Sequence, residues 1–268
     1  MSETFRPLPD EGFQFGCHPN VPCFTECCAR LQLTLTPFDI LRMKHRLGLN
    51  SDQFLERFTE TFVKNGTRFP MVKLKMTDDQ GGKCPFVTAQ GCAIYEDRPG
   101  ACRLYPVGRA SAAVQGEKAA CEKFFLVVEP HCQGFGEKTE WTLNQWLEHE
   151  GLSEYNAMND AWLQIASSPK SLGPKTHIQQ KHQMFFMVSY NLDMFRRFVF
   201  ESPFLQRFEV PSRLRDKLAS DDVELMKFGF EWLRFSLFGE KTVRFKTEAG
   251  RKGNGAGGVH RGDENGPS

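Results

Sequence analysis

The sequence predicts an α+β protein, mainly helical, in which a cysteine-rich half of loops and short strands precedes a helical C-terminal half. Three observations carry that prediction. All nine cysteines lie between positions 17 and 132, and the 136 residues that follow have none. Capped, amphipathic helical stretches dominate from Trp141 onward. Two-residue alternation, the mark of a half-buried strand, is confined to short runs in the first half.

In chain order, residues 1–35 read as an extended, proline-rich opening, with alternation at Leu31, Leu33 and Leu35 suggesting a strand. Thr36-Pro37-Phe38-Asp39 supplies an N-cap, a proline in the first turn and an acid beside it; Gly48 stops that helix. Asn50 with Gln53 caps the next, whose apolar face reads Phe54, Phe58 and Phe62. Val72, Leu74 and Met76 alternate with lysines as a half-buried strand, and the turn 78–83 delivers the chain to Cys84. Phe124 to Val128 is a further strand. Thr142 with Gln145 caps a helix ending near Gly151, and Tyr155, Met158, Trp162 and Ile165 mark another. After a linker at 167–174, Met184, Val188, Leu192, Phe195 and Val199 share one helical face. Asp221 with Glu224 opens a last helix through Leu225, Phe228, Trp232 and Phe235, stopped by Gly239. These Phe- and Met-rich stripes read as core rather than as a ligand groove. The Gly-rich tail contains Gly253, Gly255 and Gly258 in a G-x-G-x-x-G order, but lacks the strand and helix that a nucleotide fingerprint needs. The expected division is therefore a cysteine-cluster domain over 1–135, a helical region over 136–245 packed on it, and a disordered tail over 246–268.

A net charge of +1 argues against a nucleic-acid partner. The N-terminus has no basic, apolar signal-peptide pattern, and the longest strongly apolar runs are five residues, so no membrane association is expected. The expected location is the cytoplasm. In that reducing compartment clustered cysteines read as metal ligands or redox groups rather than disulfides.

The cysteines come in two sets. The first is Cys17, Cys23, Cys27 and Cys28; the second is Cys84, Cys92 and Cys102, with Cys121 and Cys132 following. Thiolates are soft ligands suited to Zn²⁺ or iron–sulfur clusters, and four of them complete either kind of site. Joining residue 28 to residue 84 closes a loop at roughly 3–4 kcal/mol. A four-thiolate zinc site returns on the order of 10–16 kcal/mol, so metal can fold this half around itself. Ordinary buried cysteines are the bland alternative, but nine in Pro- and Gly-studded loops exceed what packing calls for. No C-x-x-C occurs, which argues against a thioredoxin-like relay, while the vicinal Cys27-Cys28 keeps regulatory disulfide chemistry in view. Two four-coordinate sites would leave one cysteine over.

Cys23-x3-Cys27-Cys28, Cys84-Pro-Phe and Cys92-x-Ile-Tyr-x-x-Arg-Pro-x-x-Cys102-Arg-x-Tyr-Pro together resemble a bacterial cysteine-cluster family called YkgJ-like, with a CxxCxxCC signature over roughly residues 17–132. The resemblance implies zinc or iron chelation. Flagellin lysine N-methylases carry a similar cysteine domain, for which it implies an iron–sulfur cluster, [4Fe–4S] being the expected form. One departure is the stretched opening, with five residues between Cys17 and Cys23 and three between Cys23 and Cys27; all nine cysteines are candidate ligands, and Cys17 is the one whose family role carries over least securely. Metal binding is thus the expected function, with a cluster-dependent protein-lysine methylase-like enzyme acting on a protein substrate, or a structural-zinc interaction module, as the alternatives. No catalytic residue is assigned.

Around the cysteines, His18 and His131 read as surface or supporting histidines rather than ligands. Arg98 and Arg103 flank Cys102 and are expected to pair with Glu96, Asp97 or Glu117, and Tyr95 and Tyr105 to pack over the metal loops. Glu148-His149-Glu150 reads as a solvated charged run.

Overall fold

The computed structural model describes residues 4–63, 67–112 and 121–246, without the side chains of Ala112 and Cys121. Glu117 and the tail from Lys246 onward, apart from Lys246 itself, lie outside the described residues, as does the Gly253–Gly258 motif. The protein is α+β and mainly helical, as expected.

The first half alternates short strands with helices: β1 (Phe5–Pro7), β2 (Phe13–Gln14), β3 (Thr34–Leu35), α1 (Pro37–Arg46), α2 (Ser51–Phe58), β4 (Thr59–Phe62), β5 (Met71–Leu74), β6 (Val87–Thr88), β7 (Gly91–Cys92), α3 (Gly100–Leu104), β8 (Val107–Ala112) and β9 (Cys121–Val127). Then β10 (Glu140–Trp141) returns to β2, and the chain continues as α4 (Leu143–His149), α5 (Leu152–Ala166), α6 (Ile178–Tyr190), α7 (Leu192–Glu201), α8 (Phe204–Arg207), α9 (Ser212–Ser220) and α10 (Asp222–Phe238). All sheets are antiparallel and small: β1-β9-β8, β3-β5-β4, and the pairs β10-β2 and β6-β7.

The expected caps form. Thr36 with Asp39, Asn50 with Gln53 and Thr142 with Gln145 each make a reciprocal capping box, and Asp221 accepts from the Val223 and Glu224 amides. Gly48 and Gly239 end their helices with φ of 63° and 70°, a left-handed turn that costs glycine nothing.

Two expectations about helix extent are corrected. Phe62 does not extend the face of α2. The helix stops at Phe58, and the β-branched Thr59 and Thr61 run into β4, where Thr59 pairs with Leu74 and Phe62 with Met71. The stripe from Met184 to Val199 is likewise two helices. Asn191 breaks it with a φ,ψ of −115°, 71°, and its side chain accepts from the Met194 amide to start α7. The stripe still faces inward, with Val188, Leu192, Phe195 and Val199 buried. The Leu31–Leu35 alternation yields only the two-residue β3.

One buried core runs from Phe13 to Val243 and includes both halves of the chain. α1 packs on α5 and α6, while α10 packs on α5, α6, α7 and α9. An aromatic cluster ties the helical half to the cysteine loops. Phe15 meets Tyr105, Phe135 and Trp146 edge-on at 5.9, 5.4 and 5.7 Å. The indole N–H groups of Trp141 and Trp146 donate to the carbonyls of Phe15 (3.0 Å) and Leu104 (2.9 Å). Among the described residues no helix is long and apolar enough to cross a membrane.

Candidate metal centre

Short turns, rather than long elements, place the cysteines. Gly16 N–H donates to the Gly134 carbonyl at 3.0 Å, which sets Cys17 beside the loop that carries Cys132. From Val21 the chain coils through successive tight turns, Glu26 N–H to Cys23 O and Cys28 N–H to Thr25 O, each at 3.0 Å. Thr25 and Arg30 hold φ of 70° and 55°, a region costly for residues with a Cβ, and the vicinal Cys27-Cys28 pair lies between them. Cys84 N–H donates to Cys28 O at 2.8 Å, so the two cysteine sets meet along the backbone. The β6–β7 hairpin then pairs Val87 with Cys92. Cys102 lies in α3, whose first residue, Gly100, donates its N–H at 2.8 Å to the buried Asp39 carboxylate.

Spatial grouping cuts across the sequence grouping. In one group the Gln133 N–H donates to the Cys23 sulfur at 3.1 Å, next to Cys132. Cys17 lies within electrostatic reach of Cys27, Cys23 and Cys132. In the other group Cys28 lies within reach of Cys84 and Cys102, and Cys102 of Cys84 and Cys92. Cys27 and Cys28, hydrogen-bonded thiol to thiol, join the two groups. The eight sulfurs are gathered rather than closed: among the described residues no three His, Cys, Asp or Glu side chains are arranged to hold a metal ion.

The ninth cysteine is placed by its backbone alone. Cys121 begins β9 with its backbone opposite Ala112, while Val107 pairs with Leu126 at the other end of the ladder, the end that leads to Cys132. Five residue steps separate these ends, about 17 Å of strand. The Cys121 side chain lies outside the description.

Electrostatics shows what the gathered sulfurs lack. Burial, then repulsion from Cys27, Cys23 and Cys132, pushes the Cys17 thiol up to about 11. Burial and neighbouring sulfurs likewise push Cys102 up to about 12 and raise Cys84 and Cys132, while burial raises Cys92. Cys27 goes the other way, to about 7, because the Cys28 thiol donates to it; that same bond raises Cys28. Opposing the rises, backbone amides of Phe86 and Val87 are directed at Cys84, that of Ile94 at Cys92 and that of Gly134 at Cys132. N–H groups aimed at sulfur favour thiolate, yet the crowded sulfurs cannot all ionise without a cation among them. A thiophilic metal meets that requirement, so the donor set fits zinc or iron.

Supporting side chains agree with this fit. The Tyr105 hydroxyl is buried without a hydrogen-bond partner of ordinary geometry and lies against Cys132, the sulfur it could donate to. Tyr95 is instead half-exposed and lies under Arg98, whose guanidinium carbon is 3.7 Å from the ring centroid. Arg98 is buried, donates to the Tyr95 carbonyl at 2.6 Å and pairs with Glu150, while Cys17 and Cys92 both feel its charge. Arg103 donates to the carbonyls of Glu150 (2.7 Å) and Glu96. The expected solvation of Glu148-His149-Glu150 is therefore corrected at Glu150. It is 4% exposed, because it caps α4 where the chain turns inward against Arg98. Nothing in the sequence separates it from Glu148; only the partner's position does. His18 and His131 sit at the surface, each 3.3 Å from a carboxylate, Glu137 and Glu129.

Residues 16–133 match the family model of the CxxCxxCC domain, a proposed zinc- or iron-chelating domain. The match spans 118 of the 268 residues and takes in every cysteine. The CxxCxxCC segment runs from the end of β2 to the loop after β9 and excludes α4 to α10. No curated protein and no solved structure matches the chain.

Proposed function

We propose that the protein binds zinc or an iron–sulfur cluster through two four-cysteine groups, Cys17, Cys23, Cys27 and Cys132 in one and Cys28, Cys84, Cys92 and Cys102 in the other. The gathering of eight sulfurs from separate loops, the β6–β7 hairpin and α3, with backbone amides aimed at several of them, carries this reading. Cys17 belongs to the ligand set, and Cys121, at the far end of its strand ladder, is the cysteine left over. Bound metal supplies a positive centre that lets the crowded thiolates ionise, and in iron–sulfur form it also supplies a one-electron couple. The chain's own groups orient the site. The amides of Phe86, Val87, Ile94 and Gly134 point at sulfurs, Tyr105 covers Cys132, and Arg98 sets a fixed cation between the groups. Residues 1–135 thus carry the metal, residues 136–245 brace its loops, and the cytoplasm is the setting that keeps the thiols reduced.

Anaerobic purification with elemental analysis and an absorption spectrum tests this directly. The expected result is either a brown, iron-containing protein with thiolate-to-iron charge-transfer bands or a colourless one with stoichiometric zinc. Metal-free protein whose melting temperature is unchanged by a chelator or by added zinc would overturn it.

A further inference from the structure

Between α1, α3, β8 and α5 lies a cleft of about 220 Å³ that the metal-binding residues do not use. Its polar lining is unbalanced. Asp39 is 2% exposed, and its carboxylate accepts from the backbone amides of Thr36 and Gly100, both at 2.8 Å. Asn159, on α5, presents a buried Oδ1 with no hydrogen-bond partner. Arg109 also lines the cleft, but its guanidinium is committed to Asp160 at 2.7 and 2.9 Å and to Glu122 at 2.7 Å. Leu104 and Trp162 contribute apolar wall. A buried acceptor left unpaired is unfavourable, and the buried Asp39 carboxylate, held by the Thr36 and Gly100 amides and the Thr36 hydroxyl with the Arg103 charge nearby, keeps lone pairs that a cation's N–H groups can use. The volume equals about seven waters at ~30 Å³ each, room for a molecule of about five heavy atoms.

We propose that this cleft binds a small organic ammonium ion, its N–H groups donating to Asn159 Oδ1 and Asp39 and its carbon stem lying on Leu104 and Trp162. The cation takes the acceptors that the protein leaves over, while the neutralised Arg109 sets no barrier to it. An anion would meet the Asp39 carboxylate, and a neutral alcohol of the same length would leave that carboxylate uncompensated. The cleft lies beside the cysteine loops through α3, but its ligand needs none of the sulfurs.

Calorimetric titration of the full-length, metal-replete protein with n-butylammonium chloride tests the assignment, with n-butanol and sodium butyrate as controls. The expected result is one-site saturable binding with a Kd on the order of 1 mM, within reach of five heavy atoms. Asn159→Leu should weaken it at least about tenfold, and Asn159→Asp, which keeps the shape and adds charge, should tighten it. Melting curves on both variants separate lost binding from lost folding, and Asn159→Asp decides the matter if Asn159→Leu does not fold. Equal binding of butanol or butyrate, unchanged affinity in Asn159→Leu, weaker affinity in a folded Asn159→Asp, or no saturation at about ten times the expected Kd would each overturn the proposal.

Discussion

Glu150→Gln isolates the ion pair that fastens the cysteine loops to the helices. Arg98 follows the turn before α3, Glu150 caps α4, and their side chains are 10% and 5% exposed. Glutamine keeps the shape and removes the charge, stranding a buried guanidinium. Breaking one side of a buried pair costs about 3–5 kcal/mol. Arg98 keeps the Tyr95 carbonyl at 2.6 Å and the Tyr95 ring, so the lower end, about 3 kcal/mol, applies. At ~2–4 °C per kcal/mol for a chain of this size, the melting temperature falls by ~6–12 °C. Arg98→Met combined with Glu150→Leu should cost less than Glu150→Gln alone, since no charge is left behind. Thermal melts of the parent, Arg98→Met, Glu150→Leu and the double variant form a cycle whose coupling reads the pair directly. A Glu150→Gln protein melting within about 1 °C of the parent would refute the reasoning, because a solvated pair contributes that little.

Three further outcomes follow from other parts of the molecule. Cys121→Ser should keep the parent's metal-to-protein ratio, whereas Cys84→Ser and Cys17→Ser should lower it by elemental analysis; a loss in Cys121→Ser would remove the two-group assignment. Gly229→Ala should lower the melting temperature even though alanine favours helix by ~1 kcal/mol, because its Cβ would stand 2.7 Å from Val188 Cγ1 and 3.1 Å from Phe195, and overpacking costs about 1–3 kcal/mol. A higher melting temperature would show that α6 and α7 yield to it. Asp193 feels burial upward, but hydrogen bonds from Lys44 and Ser51 outweigh it and hold the carboxyl down at about 2. Since the folded value lies below the usual 3.8, this group stabilises the fold above that pH and the contribution is lost as pH falls toward 2. Denaturant midpoints should therefore drop less on acidification in Asp193→Asn than in the parent; parallel curves would count against it.

What could be read from the chain alone follows from how local each signal is. A capping box needs only residues three apart, so Thr36-Asp39, Asn50-Gln53 and Thr142-Gln145 marked their helices. Helix extent was less visible at Phe62 and Asn191, where strand pairing with Met71 and a side-chain cap overrode an apolar period that continued. The short helices α3 and α8 carried no period long enough to detect, and α9 offers only Leu214 and Leu218 as large apolar residues on one face, with no side-chain cap. At the candidate site, residue type and confinement marked the cysteines, but grouping depends on pairs such as Cys23 with Cys132, more than a hundred residues apart. The stretched spacing made Cys17 the least secure ligand along the chain, whereas in the fold the Gly16–Gly134 contact sets it beside the loop that carries Cys132.

The sequence by itself determined that this is a mainly helical α+β chain with all its cysteines in one half, because caps, periodicity and residue type are properties of residues and near neighbours. Tertiary structure alone decided how the sulfurs group, that Glu150 is buried against Arg98, and that Asn159 faces a cleft without a partner. Those facts depend on which distant surfaces exclude water between them, and burial is a property of the packed molecule rather than of any residue.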